Sequence, residues 1–135
     1  MITGGCLCGG IRYEYDGEID EISMCHCSQC RKAQGSAFVA VCPIDARRFR
    51  IIAGTELLRE YRAVPSKCRV FCSRCGSPIY SARDDLPDIR RLRLGTVETP
   101  FTCHNAYHIF TGSRASWFDI ADDLPQYVER KPAGA

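Results

Sequence analysis

Ten cysteines in 135 residues, seven of them packed into three short clusters, constrain this chain more than any other feature. The clusters are GGCLCGG with Cys6 and Cys8, CHCSQCRKAQG with Cys25, Cys27 and Cys30, and CSRCGSP with Cys72 and Cys75. In an oxidising compartment ten cysteines would suggest as many as five disulfides. Neighbours in Cys-x-Cys are badly placed to bridge each other, and the clustering instead suits thiolates gathered around metal ions. The N-terminal stretch MITGGCLCGG has no basic region followed by an apolar one, as a secretory signal would. It also lacks the Arg- and Ser-rich character of a transit peptide, and no apolar run approaches the length of a membrane span. The expectation is a cytoplasmic protein whose cysteines serve metal or thiolate chemistry.

Spacing divides the clusters into two sites. Cys72 and Cys75 have the C-x-x-C-G-x-P form of a zinc knuckle, whose glycine permits the tight turn that aims backbone amides at sulfur. Cys6 and Cys8 are likewise flanked by glycines. Together the two pairs supply a tetrahedral four-cysteine shell, the pattern of a closed structural zinc site. Cys25, Cys27 and Cys30 then remain for a second ion. Cys42, Cys68 and Cys103 can in principle complete that shell, but Cys42 ends the apolar run FVAVC and Cys68 alternates with Val70, so both read as small core residues. Cys103 precedes His104 in a loop. Three protein ligands and one exchangeable position is the pattern of catalytic zinc, and we favour that open arrangement. His26 reads as lying behind the ligands without binding the metal, or as facing solvent, because adjacent side chains on an extended loop point apart. Arg31 and Lys32 directly after Cys30 are placed to offset thiolate charge and to receive a substrate carboxylate.

The remaining sequence reads as short strands. IRYEY (11–15) alternates buried and polar positions, and SAFVAV (36–41), RFRII (48–52), CRVF (68–71), SPIYSA (77–82), RRLRLGTV (90–97) and AYHIF (106–110) are similarly β-prone. TELLREYRA (55–63) suits a strand or a short helix, while SQCRKA (28–33) and IADDLPQY (120–127) read as helical turns. No linker or repeat interrupts the chain, which predicts a single domain over 1–130 with a loose tail, KPAGA, at 131–135. His108 shares a strand face with Phe110 and reads either as a packed, hydrogen-bonded histidine or as a pocket group. Trp117 is placed in the core. The formal net charge is only +2, with acidic residues interleaved among fifteen arginines and three lysines, which argues against a nucleic-acid partner. Seven thiolates holding two Zn²⁺ ions would bring that charge to about −1.

The stretches GGCLCGGIRY, CHCSQCRKAQGSAF, CSRCGSP and AYHIFTGSRASWFDIADDLPQY occur in the order seen in the glutathione-dependent formaldehyde-activating family, also called the GFA/centromere protein V domain, which this chain resembles. The resemblance implies a mainly β, Mss4-like β-tent of antiparallel sheets organised around zinc, making 1–130 one GFA-type zinc-binding domain. It carries Cys6, Cys8, Cys72 and Cys75 over as structural-zinc ligands, and Cys25, Cys27 and Cys30 as ligands of a catalytic-type zinc, two Zn²⁺ per chain. It implies a carbon–sulfur lyase-type activity on adducts of glutathione, or a similar small thiol, with an aldehyde. Arg31, Lys32 and His108 are the candidate substrate contacts. Around the triad, His26 and Arg31 stand where members to which that activity is attributed have Gly and Trp. The alternative reading is a non-catalytic zinc-binding β-tent module for protein interaction or chaperoning; neither reading calls for nucleic acid or a membrane.

Overall fold

The computed structural model describes residues 1–134, so the last residue of the expected tail lies outside the described residues. The described residues are mainly β, with ten strands and one seven-residue α-helix among them, and the chain forms two compact units. The first comprises Met1–Ile19 and Cys42–Thr102, the second Asp20–Val41 and the chain from Cys103 onward.

In the first unit, strands β1 (Ile2–Gly5), β2 (Arg12–Tyr15) and β5 (Phe49–Ala53) form an antiparallel sheet in the order β1-β2-β5. The alternation of IRYEY acts as its sequence suggests, burying Ile11, Tyr13 and Tyr15. A second antiparallel meander joins β6 (Leu58–Val64), β7 (Lys67–Cys72), β8 (Pro78–Arg83) and β9 (Ile89–Arg93). The ambiguous segment 55–63 resolves into a 3₁₀ turn at Thr55–Leu57 followed by β6. Aromatic rings join the two sheets: Tyr13 packs on Phe49 at 5.1 Å between centroids, and Phe49 on Tyr80 at 5.7 Å. Cys42 and Cys68 are both buried, as small core residues should be.

The second unit holds β3 (Ile22–Cys25), helix α1 (Ser28–Gln34), the first residues of β4 (Val39–Asp45) and β10 (Ala106–Ile109). β3 pairs antiparallel with β4 but parallel with β10, from Ala106 opposite Ile22 to Ile109 opposite Cys25. That parallel pair departs from an all-antiparallel expectation. Parallel neighbours require a long crossover, which the chain between positions 25 and 106 provides. Helix α1 starts where the sequence places it because the Cys27 sulfur caps it, accepting from the Cys30 amide at 3.3 Å. It stops at Gly35, whose φ of 63° is the left-handed conformation that favours glycine.

Two expectations fail in this unit. Segment 120–127 is not helical; Pro125 interrupts the pattern, and the backbone instead bonds to β10 through His108 N–H to Pro125 O and Tyr127 N–H to His108 O. Trp117 is not in the core but 70% exposed, its ring touching Phe118 edge-on at 6.3 Å. Lys131, at the start of the tail, lies over the Tyr107 ring at 4.5 Å. No helix among the described residues is long and apolar enough to cross a membrane.

Candidate metal centres

Each cysteine cluster falls wholly within one unit. In the first unit the β7–β8 turn carries Cys72 and Cys75. Gly76, at a φ of 78°, closes it by donating its amide to the Cys72 carbonyl at 2.8 Å. The loop after β1 brings Cys6 and Cys8 alongside, tied by the Leu7 amide to Ser77 Oγ at 2.9 Å. The four sulfurs lie within 4.8 Å of one another. Cys6 and Cys8 sulfurs are 3.5 Å apart and those of Cys8 and Cys72 3.9 Å apart. Tetrahedral zinc with sulfur ligands requires edges of roughly 3.8 Å, so the shell fits that ion.

Donors are aimed at these sulfurs. The Ile11 amide reaches Cys6 at 3.2 Å, Arg74 Nε–H reaches Cys8 at 3.3 Å, and Ser77 Oγ lies 3.2 Å from Cys75. Hydrogen bonding to the charged form favours it. The Ser77 hydroxyl is the main influence drawing the Cys75 thiol down to about 5, and the Gly10 amide followed by Arg74 lowers Cys8. Burial raises Cys72. Thiolate is therefore stabilised at the open rim of this cluster and penalised at its buried end, a balance that a bound divalent cation tips towards thiolate throughout.

In the second unit, Cys25 ends β3, Cys27 caps α1 and Cys30 lies in its first turn. Their sulfurs also lie within 4.8 Å of one another, packed against Val39, Val41, Ile109 and Phe110. Cys25 is pushed strongly upward, first by its hydrogen bonds with Cys27 and Cys30 and then by burial. Three sulfurs this close cannot all carry charge without a cation, so this donor set suits zinc as well. Among the described residues no fourth His, Cys, Asp or Glu joins the group. Cys103, the loop cysteine weighed for that place, instead directs its thiol to Asn105 O at 3.8 Å.

Residues around the triad are arranged in a way spacing alone does not reveal. His26 faces neither solvent nor sulfur cluster as a ligand: it is fully buried, with Nε2 2.8 Å from His108 Nδ1. His108 Nε2 lies 2.9 Å from Asp122 Oδ2, and the rings of Phe38 and Phe118 pack on His26 at 5.2 and 6.2 Å between centroids. Burial lowers the pKa of His26, with His108 and Arg114 adding to the effect, while the His108 contact holds the Asp122 carboxyl below its ordinary range. Both His108 ring nitrogens are engaged, Arg31 is half-buried on α1 with Nε lacking a partner, and Lys32 is exposed. Phe38, Phe118 and Asp122 carried no signal in the sequence. An aromatic inside an apolar run, another next to a tryptophan, or an acid in a predicted helical turn looks ordinary until the chain folds.

Comparison with known proteins relates the chain to a family and to a fold. The family model described as "Glutathione-dependent formaldehyde-activating enzyme" matches residues 1–113, leaving Phe118 and Asp122 beyond the match. A Schizosaccharomyces pombe protein described as an uncharacterized lyase is 30% identical over 79 residues, 58% of this chain and 56% of the relative. The chain thus matches little more than half of that relative's length. The crystal structure of a Rhodobacter sphaeroides protein shares the fold, with a TM-score of 0.61 at 22% identity over 73% of this chain and 90% of that one.

Proposed function

The chain belongs to the glutathione-dependent formaldehyde-activating enzyme family, and from that premise we propose that it is a zinc-dependent carbon–sulfur lyase-type enzyme acting on adducts of glutathione, or a similar small thiol, with an aldehyde. The observation that carries this reading is the second cluster: three sulfurs within 4.8 Å of one another, with no fourth protein ligand among the described residues. Cys25, Cys27 and Cys30 would hold this ion, while Cys6, Cys8, Cys72 and Cys75 would hold a structural one. Bound at the triad, zinc supplies an exchangeable position at which a substrate sulfur binds as thiolate at neutral pH.

The chain's own residues do the rest. The triad loop and α1 fix the three sulfurs, because the Cys27 cap and the Cys25 strand pairing leave little freedom at either end. Arg31, with a buried Nε lacking a partner, offers a charge-assisted contact to a substrate carboxylate, and Lys32 a more exposed one. His26, Phe38 and Phe118 exclude water from one side of the loop, strengthening polar contacts made there.

The adduct forms spontaneously, so the test is acceleration above that background. Exchange NMR of formaldehyde with glutathione, with wild-type protein and with Cys27→Ser, reads it directly. Faster exchange that disappears in Cys27→Ser is the expected outcome. Equal acceleration by both proteins would remove the triad from the reaction.

A further inference from the structure

Strand β6 ends the β9-β8-β7-β6 meander and is paired on one side only, with β7. Every residue from Arg59 to Val64 is exposed, Tyr61 at 60%. An open edge of this kind offers a row of backbone donors and acceptors to another extended chain.

The alternation of an antiparallel ladder says which of those groups face outward. The Ser73 amide donates to the Leu57 carbonyl, so the pairs that exchange bonds further along are Arg59 with Phe71 and Tyr61 with Arg69. The Cys72 amide agrees, since it turns away from β6 to the Ser77 carbonyl. Glu60, between those pairs, therefore directs its own N–H and C=O away from β7.

What fits that edge is set by the strand's own sequence, LREYRAV. Charged side chains on an edge ordinarily deter pairing, but here their order is self-complementary. When two copies lie antiparallel with Tyr61 facing Tyr61, Glu60 of each stands opposite Arg62 of the other. Moving the two-fold axis by one residue sets Glu60 against Glu60, or Arg62 against Arg62, and like charges directly opposite are unfavourable. The charges thus select one register. Arg62 also holds Asp84 at 3.0 Å, yet its side chain stays 41% exposed.

We propose that β6 is a self-association edge, through which two copies of this chain pair antiparallel about Tyr61, with Glu60 and Arg62 of each copy facing Arg62 and Glu60 of the other. Glu60 N–H donates to the Arg62 carbonyl of the second copy, and Glu60 C=O accepts from its Arg62 N–H. The Tyr61 rings meet at the axis in a pair without backbone bonds, where side chains approach most closely. The register shift between Tyr61 and Val64 ends the regular edge just beyond Arg62 and keeps the pairing short. Seven residues give an edge of about 24 Å, too small for an interface of standard size, so the dimer is weak and reversible. None of these residues belongs to either cysteine cluster, and the proposal does not depend on the function proposed above.

The test uses the full zinc-loaded chain, with sedimentation velocity from micromolar to millimolar concentration and amide hydrogen exchange along β6. Wild type should pass from monomer to dimer as concentration rises, with the Glu60 and Arg62 amides exchanging more slowly in the dimer. Glu60→Arg leaves only positive side chains at the axis, and Arg62→Glu only negative ones. Each variant alone should self-associate at least about tenfold more weakly than wild type. Mixed in equal amounts, the two variants should form a heterodimer as strong as the wild-type dimer, because every charge again faces its opposite. Both positions are exposed, so the variants should fold. A wild type that stays monomeric overturns the proposal and leaves the edge to another extended chain. A dimer that neither substitution weakens places the interface elsewhere and overturns it too. Association lost in both variants and not recovered on mixing overturns the register centred on Tyr61.

Discussion

Replacing Cys72 should damage the fold far more than replacing Cys27, and the difference follows from chain distances. In the first cluster Cys8 and Cys72 are 64 positions apart, with sulfurs 3.9 Å apart. A cross-link closing a loop of that length removes about 4 kcal/mol of denatured-state entropy, treated as for a disulfide. In the second cluster Cys25 and Cys30 are only five positions apart, and the same relation gives about 2 kcal/mol. Cys72 is also fully buried on β7, so Cys72→Ser places a hydroxyl in its core. Cys27 caps α1 with its sulfur, and serine is a preferred cap, so Cys27→Ser keeps the helix start. With total stabilities of about 5–15 kcal/mol, losing the long cross-link should lower the melting temperature by roughly 10–20 °C. On the same conversion the short link caps the Cys27→Ser shift at roughly 5–10 °C. The assay is thermal melting of both zinc-loaded variants by circular dichroism, with hydrogen exchange following β7 and α1 separately. Equal shifts, or a larger one for Cys27→Ser, would refute the assignment of the long-range cluster to the fold.

Three further outcomes are expected. Protein purified without chelator should carry two zinc ions, and graded chelation should empty the three-sulfur cluster before the four-sulfur one, as metal analysis will show; simultaneous loss counts against their unequal shells. Tyr13 is buried, and burial is the chief cause raising its phenol to about 12 from the usual 10. Its contribution is therefore intact below pH 10 and lost as the pH rises from 10 to 12, on the order of 3 kcal/mol in all, because the unfolded chain ionises first. Tyr13→Phe, titrated with denaturant across that range, should lack this slope, whereas an unchanged slope would place the effect elsewhere. Trp117→Ala should cost less than about 1 kcal/mol, against about 3–5 for a core tryptophan, so urea melting of that variant checks the exposed placement.

What could be read from the sequence was local. Both cysteine groupings, the glycine turn after Cys75 and the buried alternation of Ile11, Tyr13 and Tyr15 are set by neighbours in the chain, and spacing reports them. β1 and β3 escaped because a four-residue strand carries little periodicity, and ITGG presents two glycines where β-branched residues would announce a strand. Trp117 misled because aromatic bulk usually means burial, yet the turn that carries it turns Phe118 inward instead. The His26–His108–Asp122 chain was invisible for a different reason. Its members are 82 and 14 positions apart, and nothing in AYHIF or IADDLPQY indicates that Pro125 will prevent a helix and let the segment lie against β10.

The same residue type thus does two different jobs in one chain. Cys6, Cys8, Cys72 and Cys75 join distant segments, and the donors aimed at them, Ile11 N–H, Arg74 and Ser77, stabilise sulfur charge at a complete tetrahedral shell. Cys25, Cys27 and Cys30 join nothing that the strand and helix do not already join. Gathering three like-charged donors on so short a loop is unfavourable without a cation, as the upward push on Cys25 shows, and contributes little to chain closure. Its surroundings differ as well. The orphan atoms of His26 and Arg31 and the buried imidazole pair flank this cluster, where a purely structural site would have every polar group satisfied. Unpaired polar atoms beside three sulfurs that no fourth protein ligand joins among the described residues are what lead the function proposed above to the second cluster rather than the first.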